Sequence, residues 1–267
     1  MTKLNPKVID DFLINLVNPY DKFLEYFLEL KTPIWDSTLA VGRSIFRARY
    51  SEPLEEFSLY SDFLYPPSSS NYSRIGKPGD TWFYASCNYE ACLAEMLPYW
   101  FDKFKLGSKI RVTFGVWQIR KPIKVFVIPD FEFKNDLAIE MRDRLFYTQE
   151  DLEFWKIISP YFFETTLASP KIYQLTSAFI ESIFLTNKVE DNLIDGIVYP
   201  SIQHREKTNL AIFPNAIDDG RLIFQYSIDS IFHKSLQINE KGLPTYHGPF
   251  KSRRGIHELT TNKIVWV

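Results

Sequence analysis

Residues 81–96 read TWFYASCNYEACLAEM and join a predicted strand to a predicted helix. The aromatic residues at the start are typical of a strand, and the residues that follow favour a helix. We expect Tyr84 at the end of the strand and Glu95 two turns into the helix. A strand end leaves backbone groups free and a helix N-terminus adds a positive dipole, so this junction suits a small-molecule site.

The composition around this junction is that of a globular chain. The 267 residues are 45% hydrophobic and include only 10 glycines, which fits one large domain or one domain with extensions. An aromatic content of 16% favours a core that contains a β-sheet. Because the net charge is only −2, no long-range field gathers nucleic acid or an anionic membrane, and we expect neither as a partner.

Cysteine and histidine usage argues against metal and disulfide chemistry. Cys87 and Cys92 are the only cysteines, too few for a disulfide framework or a thiolate metal site, so we interpret both as packing residues in a reducing compartment. No apolar run approaches the length of a membrane span, and we expect a cytoplasmic protein that binds no metal. Four histidines show no ligand spacing: His204, His233, His247 and His257.

The N-terminal half predicts helix, strand and loop in turn. Residues 10–30 have helical spacing of apolar side chains, with Pro19 expected to interrupt the helix. Residues 44–50 alternate in the manner of a strand. Residues 65–79, rich in proline, serine and glycine, predict a long loop directly before the junction.

The remainder of the chain predicts a mixture of strands and helices. Residues 109–119 and 123–128 predict two strands, joined as a hairpin or by a short connection. Short strands are predicted at 196–201 and 210–213, a strand pair at 221–232, and a solvated loop at the basic patch 251–255. Helical patterns occupy residues 138–147, 149–163 and 172–185.

Four separated motifs stand in a fixed order along residues 36–215. They are FRAR at 46–49, SRIGKPG at 73–79, FYAS at 83–86 with EA at 90–91 and AE at 94–95, and VYPS at 198–201 with NLA at 209–211. This order resembles the RES domain, which is named for its Arg, Glu and Ser. One departure is Ile75, because family members often have Asn after the loop arginine.

The resemblance implies an α+β (mixed α/β) fold with an ADP-ribosyltransferase-like split β-sheet flanked by helices. It divides the chain into an N-terminal helical extension at 1–35, the RES domain at 36–215, and a C-terminal β extension at 216–267 packed on the same domain. Either extension could serve oligomerisation or target choice.

The resemblance also implies an activity. RES domains act as toxins of toxin–antitoxin pairs and degrade NAD⁺, usually with an Xre-type antitoxin as partner. NAD⁺ would be the substrate, cleaved at the nicotinamide–ribose bond with water or inorganic phosphate as acceptor, and no other cofactor is implied. Two alternative functions stay open: transfer of ADP-ribose to a macromolecule, and a catalytically silent interaction module. Whether the chain forms a homo-oligomer is also left open.

The family's functional residues carry over by position. Arg47, Tyr84 and Glu95 stand at its catalytic arginine, tyrosine and glutamate. The NAD⁺-binding set implied by the resemblance is Arg47, Arg74, Tyr84, Ser201 and Asn209.

The residues also have ordinary structural interpretations. A solvent-facing glutamate on a helix would look the same as Glu95. Arg49 lies on the same strand face as Arg47 and could exchange roles with it. A lone carboxylate is chemically sufficient here, because nicotinamide leaves NAD⁺ as a neutral ring and needs no general acid.

Overall fold

The computed structural model describes residues 3–51, 56–96, 105–130, 148–163, 170–189, 194–204, 206–238 and 244–267. Within these ranges the helices are α1 (Pro6–Asn15), α2 (Tyr20–Leu28), α3 (Tyr89–Ala94), α4 (Gln149–Ile158), α5 (Pro170–Val189) and α6 (Asn215–Asp218). Short 3-10 helices span Tyr60–Phe63 and Ser159–Phe162. The strands are β1 (Asp36–Leu39), β2 (Ser44–Ser51), β3 (Phe83–Ser86), β4 (Lys109–Ile119), β5 (Ile123–Val127), β6 (Gly196–Pro200), β7 (Thr208–Ile212), β8 (Leu222–Ile238), β9 (Pro244–Glu258) and β10 (Lys263–Trp266).

The described strands form one sheet in the order β1-β5-β6-β7-β3-β2-β4-β8-β9-β10. Every neighbouring pair is antiparallel except β5 and β6, which are parallel. In the middle of the sheet, β2 and β3 pair at a single position, Phe46 with Ser86. This α+β fold, with a large and mostly antiparallel sheet flanked by helices, confirms the predicted fold class.

Hydrophobic side chains are buried on both faces of the sheet. The larger core joins helices α1, α2, α4 and α5 to strand residues such as Ile45 and Phe83. A smaller cluster joins Cys92 and Leu93 of α3 to Ala48 of β2. Since side chains alternate along a strand, Ile45 and Ala48 point to opposite faces, and α3 therefore packs on the face opposite the larger core.

Most predicted elements of the first half are confirmed. The break in the N-terminal helix lies at Pro19, the residue before α2. Strand β2 covers the predicted 44–50, and β4 has the predicted bounds. The predicted helix at 138–147 lies outside the described residues.

Of the two connections expected between β4 and β5, the structure has the short connection and not the hairpin, because β4 pairs with β2 and β8 while β5 pairs with β1 and β6. Two other expectations about strands are wrong. Residues 221–232 do not form a strand pair, since from Leu222 onward they belong to one long strand, β8, which runs beside β4. The basic patch 251–255 is part of strand β9 rather than a loop, and its backbone pairs with β8.

None of the helices in the described ranges combines the length and the apolar character needed to cross a membrane.

Candidate active site

The short helix α3 carries Glu95 to the site. Its N-cap is Asn88, whose side-chain oxygen accepts hydrogen bonds from the backbone N–H groups of Glu90 at 2.8 Å and Ala91 at 3.2 Å. The helix ends at Ala94, so Glu95 is the residue that caps it, with its N–H bonded to the Ala91 carbonyl. The burial of the helix against the sheet therefore fixes where the Glu95 side chain begins.

Two buried side chains hold the Glu95 carboxylate. Its Oε1 accepts hydrogen bonds from Ser201 Oγ at 2.5 Å and from Asn209 Nδ2 at 2.8 Å. Ser201 is fully buried and Asn209 is 4% exposed. Hydrogen bonds to a carboxylate are about twice as strong as neutral ones, so these contacts fix the orientation of the carboxylate. Glu95 is thus a half-buried and anchored group, and not the solvent-facing glutamate of the ordinary interpretation.

Both donors are themselves oriented by other groups. Asn209 Oδ1 accepts a hydrogen bond from Ser86 Oγ at 2.5 Å, which leaves the amide nitrogen to face Glu95. The His204 backbone N–H donates to Ser201 Oγ at 3.0 Å, so the serine proton is directed to the carboxylate.

Sheet register brings these groups together. Asn209 of β7 lies opposite Ser86 of β3 on one side and opposite Tyr199 of β6 on the other. Residues directly opposite one another on antiparallel strands point to the same face of the sheet. The side chains that contact Glu95 thus come from β7 and from the residue that follows β6, and Ser86 of β3 orients one of them.

Arg47 lies in the middle of the sheet, next to the single paired position between β2 and β3. It is 9% exposed, and it donates from Nε to the Leu64 carbonyl at 2.9 Å and from Nη1 to the Tyr84 carbonyl at 3.0 Å. Its guanidinium carbon lies 5.7 Å from the centroid of the Phe83 ring. Arg47 therefore bonds a β3 carbonyl at the point where β2 and β3 have stopped pairing.

The Arg47 charge has no carboxylate partner among the described residues. Burial, followed by the neighbouring charge of Arg49, lowers the pKa of Arg47 to about 10. The side chain remains a cation at neutral pH. Its Nη2 makes no hydrogen bond within the described ranges, which leaves that nitrogen able to bind an anion.

Arg49 is directed elsewhere, although it shares a strand face with Arg47. Its Nη1 donates to the Asp62 carbonyl at 2.5 Å, and its guanidinium carbon lies 4.7 Å from the centroid of the Phe57 ring. Of the two arginines, Arg47 is the one in contact with the strand that carries Tyr84.

The loop that precedes β3 carries Arg74 and contacts the Tyr84 hydroxyl. The Tyr84 hydroxyl is 3.0 Å from Ser73 Oγ, and burial raises the pKa of Tyr84. Arg74, the next residue of the loop, has a buried Nε without a hydrogen-bond partner in the described structure. Its guanidinium carbon lies 5.9 Å from the centroid of the Tyr173 ring on α5. Arg74 makes no ion pair with a carboxylate within the described ranges.

The sequence interpretation missed Ser86 and Tyr199. Ser86 orients Asn209, and the buried Tyr199 lies two residues before Ser201 on the same strand face. Burial raises the pKa of Tyr199, with Tyr84 as the next contributor. Both residues stand inside the FYAS and VYPS motifs, and alternation along each strand was the signal that could have identified them.

The cysteine near the site is not a nucleophile. Cys92 is buried, and its thiol donates to the Phe46 carbonyl at 3.3 Å. Burial raises the pKa of Cys92 to about 12, so the thiol stays protonated at neutral pH. Within the described ranges, no three His, Cys, Asp or Glu residues are grouped as a metal site would require.

Comparison with protein-family models identifies the RES domain. The RES domain model matches residues 44–231, more than half of the chain. The chain belongs to the RES domain family. No curated protein matches it significantly.

The RES match confirms the resemblance drawn from the four motifs and begins at the first residue of β2. It includes all six candidate residues: Arg47, Arg74, Tyr84, Glu95, Ser201 and Asn209. Of these, Glu95, Ser201 and Asn209 are in direct contact, while Arg47 and Tyr84 meet through the Tyr84 carbonyl.

Proposed function

We propose that this RES-domain protein degrades NAD⁺ by cleaving its nicotinamide–ribose bond. The observation that carries the proposal is the Glu95 carboxylate, held by Ser201 and Asn209. Two cations without a carboxylate partner in the described structure lie near Tyr84: Arg47 bonds its carbonyl, and Arg74 follows Ser73, which contacts its hydroxyl. A dinucleotide offers matching features, a diphosphate for the cations and ribose hydroxyls for the carboxylate.

The chemistry needs only one carboxylate. When the C–N bond breaks, its electron pair returns to the nicotinamide nitrogen, which becomes neutral, and the ribose acquires oxocarbenium character. Glu95 Oε1 is occupied by two donors, whereas Oε2 has no partner in the described structure and can accept from a ribose hydroxyl. A fixed carboxylate beside developing positive charge contributes about 3 kcal/mol, or about a hundredfold in rate.

Positioning of the rest of the substrate would come from the arginines and Tyr84. Arg47 Nη2 and the Arg74 guanidinium would bind the diphosphate, and the half-buried Tyr84 ring would pack against nicotinamide or its ribose. Water that attacks the ribose carbon releases a proton to solvent and yields ADP-ribose. Phosphate that attacks the same carbon yields ADP-ribose phosphorylated there. Transfer to a macromolecular acceptor uses the same cleavage step.

From the family resemblance we further infer a toxin role with an Xre-type antitoxin as partner. A protein that consumes NAD⁺ deprives its own cell of the cofactor, so a neutralising partner is needed. Expression of the wild-type chain alone should arrest growth, and Glu95→Gln should abolish the arrest.

The direct test measures nicotinamide release from NAD⁺ by purified protein, with and without phosphate. Glu95→Gln keeps the size of the side chain but removes its charge, and it should abolish release. Glu90→Gln is the matched control, because Glu90 lies on the same helix and is exposed. Product analysis separates ADP-ribose, its phosphate and a labelled protein. No release with either acceptor, from wild-type protein free of bound inhibitor, would refute the proposal.

A further inference from the structure

Helix α5 holds the loop that carries Arg74. Ser177 Oγ lies 2.8 Å from the Ser73 carbonyl and 3.1 Å from the Gly76 carbonyl, and donates its proton to this pair of oxygens. Ser177 is 2% exposed, so the contact is shielded from water. The loop is therefore fixed on both sides of Arg74 by one buried hydroxyl.

One turn further along α5, Glu181 makes a second attachment. Its Oε1 lies 2.5 Å from Lys77 Nζ, the ammonium group of the same loop. Residues four apart share a face of a helix, so Ser177 and Glu181 approach the loop together. The side chains of Lys77 and Glu181 are 40% and 22% exposed, which makes this a partly shielded ion pair.

The N-terminal helices complete this attachment. The Tyr20 hydroxyl of α2 donates to Glu181 Oε2, and Tyr20 is 8% exposed. Its ring centroid lies 5.1 Å from that of Tyr72, which precedes Ser73 in the loop. Both oxygens of Glu181 are thus bonded, one to the N-terminal segment and one to the loop.

The loop in turn contacts the site directly. Ser73 Oγ accepts from the Gly76 N–H at 2.9 Å and lies 3.0 Å from the Tyr84 hydroxyl. The turn is compact, because a Cβ at Gly76 would lie 2.6 Å from Trp82 Nε1. Hydrogen bonds therefore run from α5 through Ser73 to Tyr84, with Arg74 inside the turn.

We propose that Glu181 is a positioning residue, which orders the Arg74 loop through Lys77 and Tyr20 and so sets the affinity for the diphosphate of NAD⁺. The inference rests on the proposed function for its ligand. It assigns the N-terminal helices a part in substrate binding, because Tyr20 belongs to α2. Glu181 touches no reacting atom, so its loss should change substrate binding more than the chemical step.

Two readouts test this inference on the full chain. In Glu181→Gln, amide hydrogen exchange across residues 73–80 should become about tenfold faster, because the loop opens more often. KM for NAD⁺ should rise about fivefold while kcat changes less than about twofold, as expected when ground-state and transition-state binding weaken equally. Lys77→Met should give the same pattern, and Lys77→Arg, which keeps the charge, should retain wild-type values.

Asp36→Asn is the matched control. Asp36 pairs with Lys124 at 2.9 Å, the two side chains are 41% and 33% exposed, and the pair lies at the β1 edge of the sheet. It should leave loop exchange and KM unchanged. Unchanged loop exchange in Glu181→Gln would overturn the inference, and so would faster exchange with an unchanged KM. A wild-type protein that releases no nicotinamide refutes the proposed function instead, and the exchange rates still decide whether Glu181 orders the loop.

Discussion

Ser201 Oγ and Glu95 Oε1 lie 2.5 Å apart, although 106 positions separate the two residues in the chain. Ser201 already accepts the His204 N–H, so its own proton is directed to the carboxylate. Ser201 is fully buried, which shields this contact from competing water. The serine therefore orients the carboxylate on which the proposed cleavage depends.

Ser201→Ala should slow nicotinamide release about tenfold, since one charge-assisted hydrogen bond contributes roughly 1.5 kcal/mol to the placement of Glu95. Steady-state kinetics at saturating NAD⁺ measures the effect. Ser86→Ala is the comparison, because Ser86 acts on Glu95 only through Asn209 and should slow release less. An equal or larger effect of Ser86→Ala would contradict this order.

Arg47→Lys should lower the free energy of unfolding by about 1–2 kcal/mol, because a lysine ammonium cannot reproduce both bonds to the Leu64 and Tyr84 carbonyls. Urea denaturation measures the loss. Arg49→Lys should cost less, since Arg49 makes one such bond and is less buried. Equal losses would contradict a larger contribution to stability from the two Arg47 bonds.

Stability should fall as the pH rises above 9 because of Cys92. Burial holds its pKa in the folded protein at about 12, above the 9.0 of the unfolded thiol, so the folded state keeps a proton that the unfolded state loses. The contribution of Cys92 to the free energy of unfolding is therefore fully present below pH 9 and declines toward pH 12. At pH 10 the loss is about 1.4 kcal/mol from this group.

Denaturation curves from pH 8 to pH 10 measure this decline. Cys92→Ala should be less stable throughout but should lose less on going from pH 8 to pH 10 than the wild type. Cys87 contributes in the same direction in both proteins, because burial raises its pKa as well. Identical slopes for the two proteins would contradict the assignment to Cys92.

Asn88→Ala should destabilise the protein by about 1 kcal/mol through loss of the α3 N-cap. It should also reduce nicotinamide release, because Glu95 depends on α3 for its position. Thermal unfolding and kinetics measure the two effects. Asn71→Ala, at an exposed position in the loop before β3, is the control, and a matching loss there would argue against capping as the cause.

Local patterns identified elements well where short-range chemistry decides them. Pro19 interrupts the N-terminal helix because a proline ring does not fit in the interior of a helix. Alternation of apolar and polar residues located β2. The same patterns left pairing undecided at Arg120-Lys121-Pro122, where a turn-like sequence joins two strands that pair with other partners. Turn chemistry describes four residues, whereas strand pairing depends on the whole sheet.

Four motifs in order identify the family and the candidate groups without any coordinates. How those groups are held depends on the folded chain. Glu95 meets Ser201 and Asn209 across adjacent strands, and Arg47 bonds backbone carbonyls where β2 and β3 separate. Helix α5 reaches the Arg74 loop from about a hundred positions away. These contacts arise from register and packing between distant segments, which local periodicity does not encode.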